Sequence, residues 1–253
     1  MTDNELAGLG VLVTRPKLQA TELIETIVAH GGTVIEFPVI EIVPRNPEAV
    51  VAEAGSLPNP DIAIFVSTNA VRHGLEHSAS ARIAVVGPAT AAALEAAGRD
   101  VDIRPADGYD SEHLLAEPEL QDVSGKIVRI IRGDGGRELI AETLRDRGAT
   151  VEYLAVYDRK MPACSAAEIA ELEQQWRAGA VNVVTVMSVE SLTNLIAMLP
   201  DWCRTELGNN LLVTPATRVI QEALNRFPGI PTTLARGPQA NNMVDAILAG
   251  ART

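Results

Sequence analysis

Six turns in this sequence carry hydroxyl groups or glycines at points where apolar, strand-like runs give way to helical runs. They are residues 14–16, 67–69, 87–90, 132–136, 188–190 and 214–217. The carboxyl ends of parallel strands are where α/β folds bind ligands, and the free N–H groups at helix starts attract anions. Each serine or threonine taken alone could be a helix cap and nothing more. Six such turns together favour an anion-binding cleft.

The turn richest in glycine reads Arg132-Gly133-Asp134-Gly135-Gly136-Arg137. It lacks the G-x-G-x-x-G spacing of a dinucleotide site, and no Gly-Lys-Ser/Thr follows it as in a P-loop. Glycines in this arrangement allow the backbone to approach a ligand closely, or they form a simple tight turn. Both interpretations stay open at this point.

Histidines and nucleophile motifs give weaker signals. His73 and His77 are four residues apart on a predicted helix, and the other histidines, His30 and His113, lie in other segments. A zinc site needs three or four ligands, so we interpret the pair as part of a solvated helix face and predict no metal site. No G-x-S-x-G motif for a serine nucleophile is present.

Tyr157 is one of three tyrosines and is followed by Asp158, Arg159 and Lys160. A phenol flanked by cations can donate a proton or a hydrogen bond to a leaving group. The alternative is an aromatic side chain that only packs against its neighbours.

The elements that must position these residues occur in an A-B-A-B repeat, in which the A segments comprise residues 11–34 and 127–151. Arg15 and Arg132 lie 117 residues apart, and so do Gly31 and Gly148 at the ends of the helices that follow. The B segments open with the apolar runs at residues 62–67 and 183–188. A repeat this long predicts two similar domains with a cleft between them.

Strand and helix patterns alternate along the chain, which predicts an α/β fold with parallel sheets. The A and B segments could pair in tandem, or each A segment could pair with the distant B segment. Residues 38–44 and 154–162 are extended, follow the A segments and have similar lengths, so we interpret them as paired linkers and favour the crossed arrangement.

Composition sets outer limits on the function. The 253 residues carry a net charge of −12, which argues against a nucleic-acid-binding protein. Two scattered cysteines form neither a zinc site nor a disulfide framework. The N-terminus has no basic, apolar leader and no run of about 18 apolar residues occurs, so we expect a cytoplasmic protein that does not enter the membrane. We also expect a monomer.

Several short motifs occur in a characteristic order. They are Val13-Thr14-Arg15-Pro16, Phe37-Pro38-Val39-Ile40, Phe65-Val66-Ser67-Thr68-Asn69-Ala70-Val71, Val86-Gly87-Pro88-Ala89-Thr90-Ala91, Val156-Tyr157 and Thr214-Pro215-Ala216-Thr217. In order and spacing, over about residues 9 to 249, the chain resembles the uroporphyrinogen-III synthase family of tetrapyrrole (haem) biosynthesis.

The resemblance implies two flavodoxin-like α/β domains with crossed connectivity, joined by a two-stranded linker. Domain one would comprise 1–37 plus 163–253, and domain two would comprise 45–153, with 38–44 and 154–162 as linkers. It implies a cyclising hydro-lyase without metal or cofactor, whose substrate is the octacarboxylate hydroxymethylbilane. Ring D would be inverted through a spiro intermediate as water leaves.

The resemblance also implies roles for individual residues. Tyr157 would assist loss of the hydroxyl group. The substrate-binding residues would be Thr14, Arg15, Ser67, Thr90, Arg132, Ser188 and Thr217. One turn departs from the family pattern, because Thr214 stands in place of a glycine and Ala216 in place of a threonine. A two-domain protein that binds or senses small anions without catalysis is the alternative function.

Overall fold

The computed structural model describes residues 4–78, 80–136 and 138–251. Arg137, which the glycine-rich turn includes, lies outside the described residues. The chain divides into two compact units. Unit 1 comprises the described residues up to 41 and from 160 onward, and unit 2 comprises those from 42 to 159.

The described residues form ten β-strands and eleven α-helices. The strands are β1 (Gly10–Val13), β2 (Thr33–Glu36), β3 (Glu41–Pro44), β4 (Ile62–Phe65), β5 (Arg82–Val85), β6 (Ile127–Gly133), β7 (Thr150–Lys160), β8 (Val183–Thr185), β9 (Leu211–Thr214) and β10 (Thr232–Leu234). The helices are α1 (Lys17–Ala29), α2 (Pro47–Ser56), α3 (Thr68–Gly74), α4 (Pro88–Ala96), α5 (Ser111–Ala116), α6 (Leu139–Asp146), α7 (Ala166–Arg177), α8 (Val189–Met198), α9 (Asp201–Leu207), α10 (Thr217–Arg226) and α11 (Ala240–Ala251).

Unit 1 is built on a parallel sheet with strand order β10-β9-β8-β1-β2. Numbered along the unit, this is the 2-1-3-4-5 order of flavodoxin-like folds. Helices α1 and α11 cover one face, where Leu23, Ile27, Met243 and Ile247 are fully buried. The short, β-branched strands suit a sheet that is buried on both sides.

Unit 2 has strand order β3-β7-β6-β4-β5, and β7, β6, β4 and β5 run parallel. Ile103 forms a parallel bridge to Ala84 beyond β5. When β6 is counted as the first strand, the order again follows the flavodoxin-like pattern, with β3 added at the edge. One face carries Ile64, Ile130 and Leu144, and the other carries Phe65 and Val156.

The strand pairs confirm the predicted fold class with crossed connectivity. Strand β1 of the first A segment pairs with β8 of the second B segment, and β6 of the second A segment pairs with β4 of the first B segment. Gly31 and Gly148 have φ values of 82° and 85°, a left-handed conformation that favours glycine at both helix ends.

The segments predicted as linkers contribute strands to the sheets. Residues 41–44 form the edge strand β3, and residues 154–160 continue β7 beside it. The continuation is stable as a strand because Leu154, Val156 and Tyr157 are buried in the core of unit 2. Within the described residues, no helix has the length and apolar character needed to cross a membrane.

The strand order makes a prediction about fragments. A chain of residues 42–159 should fold cooperatively, because it supplies nearly all of the sheet of unit 2. A chain of residues 1–118 should not fold cooperatively. It lacks β8, β9 and β10 of the sheet of unit 1, and it lacks β6 and β7, which lie between β3 and β4 in the sheet of unit 2. Urea unfolding followed by circular dichroism tests both, and a cooperative transition in 1–118 would contradict the crossed pairing.

Candidate active site

The carboxyl ends of β4 and β6 meet at the point in unit 2 where the strand order reverses. Open α/β sheets bind ligands in the crevice at such a switch point. Ser67 follows β4, Gly133 ends β6, and Tyr157 lies beside Gly133 on β7. The structure therefore brings together three residues of the predicted turns and Val156-Tyr157 motif.

The Tyr157 hydroxyl is 3.0 Å from the Ser67 hydroxyl, and either oxygen can donate. Ser67 is the N-cap of α3, and its Oγ accepts a hydrogen bond from the Ala70 N–H at 3.1 Å. That hydrogen bond does not use the Ser67 hydroxyl proton, so Ser67 can donate it to the Tyr157 oxygen. In that arrangement the phenol proton of Tyr157 is available to a ligand.

An irregularity in strand pairing sets the direction of Tyr157. Arg132 lies opposite Ala155, but Gly133 lies opposite Tyr157, so β7 carries one extra residue, Val156. A bulge re-aims the side chains that follow it. Val156 and Tyr157 are consecutive, yet both are buried in the same core cluster, which a regular strand would not allow.

The Tyr157 ring also needs Gly133. A Cβ atom on Gly133 would lie 2.5 Å from Cε2 and 2.6 Å from Cζ of the Tyr157 ring. These distances are far shorter than a van der Waals contact, so only glycine leaves room for the ring. Gly133 thus allows the Tyr157 side chain to lie against its backbone. This role is neither the close approach of a ligand nor the simple tight turn that the sequence left open.

His73 lies on α3 near the same phenol, with 6.3 Å between its ring centroid and that of Tyr157. Burial, reinforced by the neighbouring Arg72 cation, lowers the pKa of His73 below its usual value. The prediction that His73 and His77 share a solvated helix face is wrong. His77 lies in a separate 3-10 turn, Leu75–Ser78, and its side chain is only 8% exposed.

Arg132 is buried, with 7% of its surface exposed, although it carries a full charge. Its Nη1 lies 3.3 Å from Glu138 Oε1, and its Cζ lies 4.7 Å from the centroid of the Tyr153 ring. Its Nε donates to the Gly133 carbonyl oxygen at 3.3 Å. These contacts hold the guanidinium beside the glycine-rich turn.

A depression of about 190 Å³ opens at this edge of unit 2. Its polar lining comes from the side chains of Ser111, Arg132, Tyr157 and Arg159 and from Gly133, Gly135 and Gly136. Two arginines, one phenol and one hydroxyl suit an anionic ligand that also accepts a proton.

Unit 1 presents a second set of predicted residues at the carboxyl edge of its own sheet, next to the switch point between β1 and β8. Arg15 is half-buried, and its Nη1 donates to the Pro238 carbonyl oxygen at 3.1 Å. Burial holds the pKa of Arg15 below its usual value, and the nearby Glu22 carboxylate offsets part of this lowering. Ser188 caps α8, and Thr217 is exposed at the first position of α10.

Two predicted threonines are turned inward. Thr14 is 1% exposed, and its hydroxyl donates to the Thr185 carbonyl oxygen at 2.7 Å. Thr90 is 5% exposed in the first turn of α4. The hydrogen bond of Thr14 links the chain after β1 to the end of β8. Among the described residues, no three His, Cys, Asp or Glu side chains are close enough to hold a metal ion.

Comparison with known proteins decides the family. A family model described as uroporphyrinogen-III synthase HemD matches residues 21–245. The uroporphyrinogen-III synthases of Salmonella typhimurium and Escherichia coli are each 34% identical, over 78% of this chain and 82% of theirs. The chain belongs to the uroporphyrinogen-III synthase family.

Solved structures of this family share the fold. A Helicobacter pylori uroporphyrinogen-III synthetase matches with a TM-score of 0.62 at 13% identity, covering 95% of this chain and 99% of that one. A mutant uroporphyrinogen III synthase from Thermus thermophilus matches with a TM-score of 0.60 at 19% identity, covering 97% and 99%. At such low identity these matches show the fold alone.

The turn at residues 214–217, for which the resemblance implies a departure from the family pattern, is stabilised locally. Thr214 is fully buried at the end of β9, and its hydroxyl accepts a hydrogen bond from the Ala216 N–H at 3.2 Å. The side chain of Thr214 thus stabilises the turn from within. Ala216 caps α10 without a side-chain hydrogen bond, which leaves the first N–H groups of that helix unsatisfied by its cap.

Three residues of this site could not be assigned their roles from the sequence. Gly133 contacts the Tyr157 ring, and Glu138 and Tyr153 are partners of Arg132. In the sequence, Gly133 is recognisable only as part of a glycine-rich turn. An acidic residue six positions after Arg132 was a detectable signal, but the strand partner of Arg132 had to be known before Tyr153 could be placed beside it.

Substitution of Gly133 tests whether the Tyr157 ring needs a residue without a side chain at this position. Gly133→Ala should lower the free energy of unfolding by about 1–3 kcal/mol through overpacking and should shift the NMR signals of the Tyr157 ring. Gly55→Ala is the matched control, because a Cβ there meets nothing within 4 Å inside α2. The control should be neutral or slightly stabilising. Equal effects of both substitutions on the Tyr157 signals would contradict the account.

The shifted pKa of His73 predicts a pH dependence. Because the folded-state pKa lies below that of the unfolded chain, the unfolded chain binds more protons between the two values. Stability should therefore fall as the pH decreases below about 6.5. His73→Asn should make this fall less steep in urea unfolding at several pH values. A titration of the His73 ring by NMR at or above its usual pKa would contradict the prediction.

Proposed function

We propose that this protein is a uroporphyrinogen-III synthase, a hydro-lyase that cyclises hydroxymethylbilane with inversion of ring D and loss of water in haem biosynthesis. The family match across residues 21–245 carries this proposal. The site chemistry supports it, because the reaction needs binding of a polycarboxylate and a proton for a departing hydroxyl group.

Substrate binding in this proposal relies on groups at the carboxyl ends of the strands. Arg132 and Arg15 supply positive charge in their respective units. Ser67, Ser188 and Thr217 lie at the starts of α3, α8 and α10, where unsatisfied N–H groups favour carboxylates. Thr14 contributes indirectly, because its buried hydroxyl holds the end of β1 to the Thr185 carbonyl oxygen. Thr90 is buried in the first turn of α4 and would contribute through its backbone.

Tyr157 supplies the proton in this mechanism. Its hydroxyl donates to the oxygen of the hydroxymethyl group, so that the C–O bond breaks with water as the leaving group. The carbon then bonds to the substituted position of ring D to give the spiro intermediate. The bond between that position and the bridge carbon from ring C breaks, and the bridge carbon bonds to the other α-position of ring D, which inverts the ring and closes the macrocycle. The proton that the newly bonded α-position then loses restores the phenol. Ser67, by donating to the Tyr157 oxygen, orients the phenol proton outward and stabilises the transient phenolate.

The protein is also proposed to act as a cytoplasmic monomer without a metal or cofactor. Cys164 and Cys203 are free thiols, as is usual in a reducing compartment. Burial raises the pKa of Cys203 to about 11, which keeps that thiol protonated and unreactive. Light scattering on the purified protein tests the monomer, and cell fractionation tests the compartment.

Analysis of product isomers tests the proposed activity. The purified protein is incubated with hydroxymethylbilane generated in situ, and the oxidised porphyrins are separated by chromatography. Because the free substrate closes by itself to the type I isomer, a dominant type III product is the expected result. Type I product alone, at the uncatalysed rate, would rule out the activity and leave a binding role.

Tyr157→Phe tests the proton donor. We expect kcat to fall on the order of 10²-fold, the usual contribution of a general acid, with a smaller change in KM. Tyr109→Phe is the matched control, because that tyrosine is 68% exposed and should leave kcat unchanged. An unaltered kcat in Tyr157→Phe would remove Tyr157 from the chemistry.

A further inference from the structure

Arg132, the buried cation of the depression in unit 2, is paired with a carboxylate of the chain itself. Glu138 Oε1 lies 3.3 Å from Arg132 Nη1, yet the Glu138 side chain is 49% exposed while that of Arg132 is only 8% exposed. A buried charge is costly to leave unpaired, so Arg132 needs a carboxylate partner. Because Glu138 is half-exposed, it can be hydrated when another carboxylate takes its place, and the exchange keeps Arg132 paired.

The position of Arg132 does not depend on Glu138. The guanidinium lies over the Tyr153 ring, with Cζ 4.7 Å from the centroid, and its Nε donates to the Gly133 carbonyl oxygen at 3.3 Å. A Cβ on Gly136 would lie 2.7 Å from Arg132 Nη2, so that glycine also leaves room for the guanidinium. These contacts would remain if Glu138 moved away.

Glu138 is nevertheless kept close to Arg132. Its second oxygen, Oε2, accepts a hydrogen bond from the Tyr153 hydroxyl. This hydrogen bond, together with the positive charge of Arg132, lowers the pKa of Glu138, so the carboxylate stays ionised at neutral pH. An ionised carboxylate held next to a buried arginine mimics an anionic ligand.

We propose that Glu138 is a resident competitor that occupies Arg132 in the free protein and is displaced by a carboxylate of the ligand. This inference rests on the proposed function and assigns the Arg132 subsite to a carboxylate side chain of the tetrapyrrole. Displacement moves Glu138 into water and leaves Arg132 with an equivalent partner. The Tyr153 hydroxyl, released at the same time, becomes a second donor to the incoming carboxylate.

The competitor favours ligands with many carboxylates. A small monocarboxylate must compete with Glu138, which the chain itself holds beside Arg132, and it has no second carboxylate bound elsewhere to offset that competition. A polycarboxylate held at other points presents its group to Arg132 at a high effective concentration. Glu138 thus lowers the affinity for all anions and leaves a multiply anchored tetrapyrrole able to bind.

Glu138→Gln tests the proposal. Removal of the competitor should tighten binding of uroporphyrin III, an octacarboxylate probe, by about two- to fivefold in isothermal titration. The KM for hydroxymethylbilane should fall by a similar factor. Glu142→Gln is the matched control, because Glu142 is exposed one turn further along α6 and carries the same charge. The control should change the affinity less than Glu138→Gln does.

A double variant tests whether Glu138 acts through Arg132. In Arg132→Gln protein, the additional change Glu138→Gln should no longer tighten binding, because the group for which Glu138 competes is gone. Weaker or unchanged binding in Glu138→Gln, or the same gain in the Arg132→Gln background, would overturn the proposal. Porphyrin binding gives this answer even if no type III product forms, which would instead refute the proposed synthase activity.

Discussion

The candidate site depends on the close contact between the Tyr157 ring and the backbone of Gly133. The contact requires an extra residue in β7, which turns Tyr157 toward the core face, and a position without a Cβ in β6. It places the Tyr157 hydroxyl 3.0 Å from Ser67, the cap of the helix that follows the adjacent strand. One bulge, one glycine and one helix cap together hold a phenol at the switch point of the sheet.

The repeated architecture explains why binding groups occur in both units. Each unit has a flavodoxin-like strand order, and in each the order reverses between a strand of an A segment and a strand of a B segment. A serine caps the helix after the B strand in both, and an arginine follows or ends the A strand in both. Only unit 2 adds a tyrosine to this plan, so the proposed chemistry belongs to that unit.

Much of the fold could be predicted from the sequence, because the signals were repeated. The structure shows the predicted alternation of strands and helices, with Arg15 and Arg132 at equivalent strand ends. It also places the paired glycines at helix ends. The crossed pairing could be favoured because two extended segments follow the A segments. Their incorporation into the sheet of unit 2 was not visible, because a linker strand and an edge strand share the same alternating pattern.

The site could be predicted only in outline. The run Leu154-Ala155-Val156-Tyr157 does not show where the strand period slips, so the direction of Tyr157 depends on pairing with β6. Thr14 and Thr90 have the residue types of ligand-binding turns, and only burial shows that their side chains are turned inward. The occupation of Arg132 by Glu138 arises from tertiary proximity to Tyr153, which local patterns do not encode.

The role of Tyr157 in protonating the departing hydroxyl is best tested by a change of leaving group. Rates of type III product formation are compared for hydroxymethylbilane and for the same bilane with an acetoxymethyl group, using the wild-type chain and Tyr157→Phe. Acetate leaves without protonation, so we expect Tyr157→Phe to lose much of the rate with the hydroxyl substrate and little or none with the acetoxy substrate. An equal loss of rate with both substrates would show that Tyr157 does not protonate the leaving group.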